Sequence, residues 1–231
     1  MFLLMKKDNN MKETEAKVVT LNIAILPSDE VAVQAIAMSK KIAEEVGSRF
    51  ILNFDNLIPH ITVYQAQYPS RNIDNLRSIA RNLSLKQELF EIRLDVITVS
   101  YGTFLSWNCE RTRILQNLQS EAVELANPLR EGLIPQSLTD VKNLSGGDQY
   151  DVKMFGALLV GPRYTPHITI TRLNKETDAQ KAIEVLSGSE NLSFKPKGLI
   201  LGYLGEHGTV TGIVENFRFI DYRELSTSKV D

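Results

Sequence analysis

The tetrapeptide Pro-His-Ile-Thr occurs twice in this chain, at Pro59-His60-Ile61-Thr62 and at Pro166-His167-Ile168-Thr169, and it takes up two of the three histidines. Around each copy polar and apolar residues alternate. His60, Thr62 and Tyr64 stand against Ile61 and Val63; His167, Thr169 and Thr171 stand against Ile168 and Ile170. A period of two is the signature of a half-buried strand, with each His and its Thr on one face and the isoleucines in a core. Two such strands side by side present two imidazoles and two hydroxyls to one groove. Imidazoles titrate near neutral pH, so one can act as free base while the other holds a proton. That is equipment for acid–base cleavage of a phosphoester without a metal.

A bare His-x-Thr is a weak signal, because His207-Gly208-Thr209 fits it too. There the flanks differ: Gly205-Glu206-His207-Gly208 reads as a tight turn between strands, which makes His207 a turn residue. Other site types lack their residues. No carboxylate or further histidine lies at ligand spacing beside His60 or His167, no Gly-x-Ser-x-Gly is present, and no Gly-rich loop ends in Gly-Lys-Ser/Thr.

The bulk properties set bounds. A chain of 231 residues, 43% hydrophobic and 23% charged, has the makings of an ordinary globular core. A net charge of −2 gives no basic surplus for holding a long polyanion, so a nucleotide or an oligonucleotide end fits better than extended nucleic acid. The single cysteine, Cys109, closes an apolar stretch and reads as a buried thiol, which suits a reducing cytoplasm. No apolar run approaches the ~20 residues of a membrane span, and Met1-Phe2-Leu3-Leu4-Met5 is shorter than the ~7–15 residues of a signal peptide's apolar region.

Patterning predicts α and β elements in mixed order. Strands are expected at Val18–Leu26, Phe50–Phe54, the first motif to about Gln67, Leu89–Val99, Thr103–Asn108, Thr165–Arg172, Leu199–Leu204 and Val210–Phe219. Helices are expected at Val31–Val46 behind the cap offered by Ser28, from Pro69-Ser70 to Leu83, and at Arg111–Ala126 and Glu176–Leu186. The segment Asn127–Pro162 has turn chemistry and no sustained period, as a surface excursion or a cover for the groove would. Residues 1–17 read as a loose tail and 18–231 as one bilobal domain with an insertion near 127–162. Strand, motif strand and helix recur on both sides of the middle, the trace a duplicated lobe would leave. Trp107, Phe104 and Tyr203 are expected in the core.

On its two motifs the chain resembles the two-histidine (2H) phosphoesterase superfamily, which includes bacterial RNA 2′,3′-cyclic phosphodiesterases known as 2′-5′ RNA ligases. His167-Ile-Thr-Ile-Thr-Arg172 also looks like that family's ending, with an arginine after the motif. The resemblance spans about Val18 to Tyr222. It implies an α+β fold of two pseudo-symmetric lobes of antiparallel sheet, with outer helices, around a central groove. It also implies a cofactor-free, metal-independent, monomeric cytoplasmic hydrolase acting on a nucleotide or RNA end. His60 and His167 are then the catalytic acid and base, with Thr62 and Thr169 donating to the phosphate oxygens. Tyr64, Thr171 and Arg172 are further candidates for substrate contact. Tyr64 shares the face of His60 if the strand is regular, and could stack a base or simply fill the strand. Arg172 has the opposite parity from His167 and reaches the groove only if the strand twists or ends. The substrates implied are RNA 2′,3′-cyclic phosphate, ADP-ribose cyclic phosphate, 2′-5′ oligoadenylate or an RNA 3′ end. A non-catalytic module binding a nucleotide or RNA end is the rival reading.

Overall fold

The first strand, β1 (Val18–Ile25), turns Leu21, Ile23 and Ile25 into the main core and Asn22 and Ala24 to the opposite face. The structure, a computed structural model, describes residues 17–139, 144–188 and 191–221. The expected tail therefore falls almost wholly outside the described residues. Ser28 follows the strand and caps α1 (Asp29–Glu45), its Oγ accepting from the Val31 amide, with Asp29 and Glu30 in the first turn where the helix dipole favours negative charge. Residues 50–54 form no strand. The Asn53 side chain accepts from the amides of Asp55, Asn56 and Leu57, and this local turn takes the donors a sheet would need.

The remaining main elements are β2 (Ile61–Pro69), α2 (Ile73–Lys86), β3 (Ile92–Ser100), β4 (Phe104–Cys109) and α3 (Arg113–Ala126), then α4 (Gln136–Thr139) and α5 (Gly146–Phe155). They are followed by β5 (His167–Arg172), α6 (Ala179–Leu186), β6 (Ser193–Phe194), β7 (Gly198–Leu204) and β8 (Val210–Arg218). The strands make one open antiparallel sheet in the order β6-β3-β4-β5-β2-β1-β7-β8. Its midline falls between the two motif strands, β5 and β2, which touch through one pair, Ile61 opposite Ile168.

Four strands lie on each side of that midline, but the two lobes are not the two halves of the chain. The units β1-α1-β2-α2-β3 and β4-α3-β5-α6-β7 repeat one order, the second with α4 and α5 inserted before β5 and β6 before β7. Each gives its last strand to the other lobe: β3 pairs with β4, and β7 with β1. The helices cross as well, since α1 packs on β5 and α3 on β2. Apolar faces bury Trp107, Ile61, Ile168, Leu76, Leu115 and their neighbours in one continuous core between helices and sheet. Cys109 sits in it, 5% exposed, and burial pushes its thiol well up. No helix among the described residues is long and apolar enough to cross a membrane.

Candidate active site

Both motif strands break their alternation at the same place. In β2, Ile23 of β1 pairs with Tyr64 and Ala24 with Thr62, so Val63 is an extra residue. In β5, Leu105 of β4 pairs with Thr171 and Ser106 with Thr169, so Ile170 is extra. Each is a β-bulge three residues after its histidine, and a bulge reverses the phase of everything beyond it. Burial records the reversal: Val63 and Tyr64 are buried in succession, as are Ile170 and Thr171.

The bulges sort the candidates. Thr62, Thr169 and His167 line a groove of about 630 Å³, together with Arg172 and Gln65, the residues five beyond each histidine. The fourth residue after each histidine turns inward. Thr171 is fully buried and donates its hydroxyl to the Phe50 carbonyl at 2.7 Å. Tyr64 is 2% exposed, its hydroxyl 2.8 Å from the Phe155 carbonyl and 3.0 Å from Asn127 Oδ1. Thr171 therefore sits behind the groove, and Tyr64 shows it only an edge. The same reversal delivers Arg172 to it, against the parity of a regular strand.

The two histidines are held alike. His60 Nδ1 lies 2.8 Å from the Ile58 carbonyl and His167 Nδ1 lies 2.8 Å from the Thr165 carbonyl, each two residues back. A carbonyl only accepts, so Nδ1 carries the proton in both neutral rings, and each Nε2 is left with a free lone pair. His60, 7% exposed, is not among the residues that line the groove, whereas His167 is half-buried on its wall. Burial, above all, pulls His60 down to about 4, with His167 lowering it further against the Ile58 carbonyl. Burial also lowers His167. Both lowered values leave the rings neutral at pH 7. An anion bound between them raises both, since opposite charge favours the protonated form.

The threonines differ in support. Thr62 Oγ1 accepts from Asn22 Nδ2 at 2.9 Å, which leaves the Thr62 hydroxyl proton free to point into the groove. Asn22 is fully buried, and its Oδ1 has no hydrogen-bond partner among the described residues. The Thr62 carbonyl accepts from the hydroxyl of buried Tyr164 at 3.0 Å. Sequence reasoning missed Asn22; its signal was a polar residue between Leu21 and Ile23, indistinguishable there from a solvent-facing position.

The third histidine is a correction. His207 does occupy the turn between β7 and β8, with φ of +65°, but it also lines the groove. Its ring stacks on Phe50 at 5.6 Å and 15°, and its Nδ1 lies 3.3 Å from an Arg172 terminal nitrogen. Phe104 is likewise a groove residue, with the Arg172 guanidinium 4.9 Å above its ring, and Tyr203 is 41% exposed. Of the aromatics expected in the core, Trp107 alone is fully buried.

The 127–162 excursion also walls the groove, through Pro135–Leu138 and Gly156–Val160. Buried Arg130 pins it, donating to Asn127 Oδ1 and to the carbonyls of Leu133, Lys153 and Met154. Asp151 pairs with Arg163 beneath it. Residues 140–143 lie outside the described residues. No three His, Cys, Asp or Glu side chains gather as a metal site among the described residues.

Solved structures share this architecture at low identity. The chain is similar to E. coli LigT in complex with NADP+ (TM-score 0.56, 16% identity, 89% of this chain and 100% of that one). It is similar to TT0787 of Thermus thermophilus (TM-score 0.55, 13% identity, 87% and 97%). It is also similar to a protein described as a phosphoesterase (TM-score 0.57, 15% identity, 89% and 100%). A search of curated protein sequences found no match. The profile of the 2′-5′ RNA ligase superfamily matches residues 27–207, and the chain, with its paired His-x-Thr strands, belongs to that superfamily of two-histidine phosphoesterases.

Proposed function

We propose that this protein is a metal-independent phosphodiesterase that opens 2′,3′-cyclic phosphates at RNA or nucleotide ends. The observation that carries the reading is the matched pair of imidazoles, each clamped through Nδ1 so that Nε2 exchanges the proton. Water attacks phosphorus in line and gives its proton to one Nε2. The P–O bond to one ribose oxygen breaks on the far side, and that oxygen takes a proton from the other Nε2, leaving a nucleoside 2′- or 3′-phosphate. Each transfer typically contributes ~10²–10⁴-fold. The Thr62 and Thr169 hydroxyls donate to the non-bridging oxygens as charge builds there. With a 5′-hydroxyl attacking in place of water, the same pair joins it to the cyclic phosphate: the P–O bond to the 3′-oxygen breaks, that oxygen takes the proton, and a 2′-5′ linkage forms without ATP.

Nucleotide recognition has support from relatives, since LigT has been crystallised with NADP+, with phosphate and with 3′-AMP. The lone buried Cys109 suits a cytoplasmic setting. The test is hydrolysis of 2′,3′-cyclic AMP in EDTA, with the product isomer identified, by wild type, His60→Ala and His167→Ala. Turnover in the wild type and a loss of at least ~10²-fold in each variant is expected. Activity abolished by EDTA, or kept in either variant, sinks the proposal.

A further inference from the structure

The end of the groove beyond Thr169 holds more cation than the histidine pair requires. Arg172 spends two of its N–H groups on neutral acceptors, Thr103 Oγ1 at 3.3 Å and His207 Nδ1 at 3.3 Å, and makes no ion pair among the described residues. Arg49 is exposed and has no ion pair among the described residues either. The backbone brings the two together, since the Arg49 amide donates to the Arg172 carbonyl at 2.8 Å. Their charges repel one another and act on His207, a repulsion that a bound anion relieves. The acid that acts on Arg172, Glu206, is 87% exposed but also lines the groove, its Oε1 3.4 Å from His207 Nε2.

His207 is built for a fixed role there. The Arg172 N–H points at its Nδ1, so the neutral ring carries its proton on Nε2 and offers a donor. Phe50 holds the ring by stacking, and buried Thr171 holds Phe50 through its carbonyl. A non-glycine residue with positive φ is a strained choice, and strain of this kind gathers at functional sites. The set Arg172, Arg49 and His207 presents N–H donors, beside the Glu206 carboxylate at His207 Nε2. It matches the oxygens of a phosphate rather than the mixed edge of a base, and Arg172 already covers the ring of Phe104. Arg172 lies three residues beyond Thr169 across the bulge at Ile170, less than the roughly 10 Å of a regular strand, a gap one nucleotide bridges.

We propose that Arg172, His207 and Arg49 form a second anion site for the phosphodiester on the 5′ side of the reacting nucleotide. The preferred substrate is then an oligonucleotide end rather than a free cyclic mononucleotide. This rests on the reading that the first phosphate sits between His60 and His167.

Calorimetric titration in EDTA with adenosine 3′-phosphate and adenosine 3′,5′-bisphosphate tests it, the 5′-phosphate standing in for the diester. The wild type is expected to bind the bisphosphate about tenfold or more tightly. Arg49→Gln and His207→Asn, the latter chosen because Asn tolerates positive φ, should each cut that ratio to roughly threefold or less. A wild-type ratio near one, a ratio that survives both substitutions, or equal weakening of both ligands overturns the second site. The catalytic reading fails separately: no turnover of cyclic AMP with the binding ratio intact removes the chemistry and keeps the anion site.

Discussion

The strand of His60 and the strand of His167 are copies down to the bulge, and they differ in what surrounds that shared frame. Both clamp Nδ1 on the carbonyl two residues back, set a threonine two residues on, and reverse phase at the third. Past the bulge, Gln65 faces the groove on one side and Arg172 on the other. Thr62 is braced by Asn22 from the neighbouring strand, whereas Thr169 Oγ1 has no partner among the described residues. The backbone is thus alike at the two histidines and different at the two ends of the groove. On the proposed reading, the paired imidazoles serve in-line displacement and the arginine-lined end sets the substrate's orientation.

Substitutions at the threonines probe that division most strongly. Thr62→Val and Thr169→Val are each expected to lower kcat by roughly 10²–10³-fold, as loss of one transition-state donor does. Asn22→Leu should cost about tenfold in the wild type and little more in a Thr62→Val background, because it acts through that hydroxyl. Additive losses in the double variant would show Asn22 to be a packing residue.

The pH dependence sharpens the comparison between the two imidazoles. One must be free base and the other protonated, and both are lowered from the usual histidine value, His60 to about 4. As pH rises through the lowered values the protonated ring loses its proton; as it falls through them the free base gains one. The expected profile of kcat/KM, which reports the free enzyme, is a bell with its maximum below about pH 6.5, the ordinary histidine value. A rate that climbs steadily from about pH 6 to 8 breaks this account.

The smallest effects belong to the fourth residue after each histidine. Tyr64→Phe and Thr171→Val each remove a hydroxyl bonded to a carbonyl, at Phe155 and at Phe50. Each should lower stability by about 1–2 kcal/mol, read as a lower urea midpoint at unchanged slope. If Thr171→Val costs nothing, the Phe50 segment is not anchored as described.

The α+β character, the motif strands and most helix bounds were legible because period two and helical spacing are local signals. The bulges were not, since register is fixed by neighbours on other strands; the regular alternation of Thr169, Thr171 and Tyr64 therefore misassigned Thr171 and undervalued Arg172. The turn at His207 is legible in its glycine-rich flanks. Its place in the groove is not, because what its ring meets, Phe50 and Arg172, is remote in sequence. The exchange of β3 and β7 between lobes leaves no mark on local composition.

That exchange bears on how the protein is made. The first motif strand ends at Pro69, but the hairpin that completes its lobe begins at Gly198. During synthesis β1 and β2 wait, one edge open, until nearly the whole chain has emerged. Pairings this distant make folding slow, and open edges invite wrong partners. Neither half of the chain is a unit that could be cut out and kept, and the groove gains its final shape only when the last two strands dock.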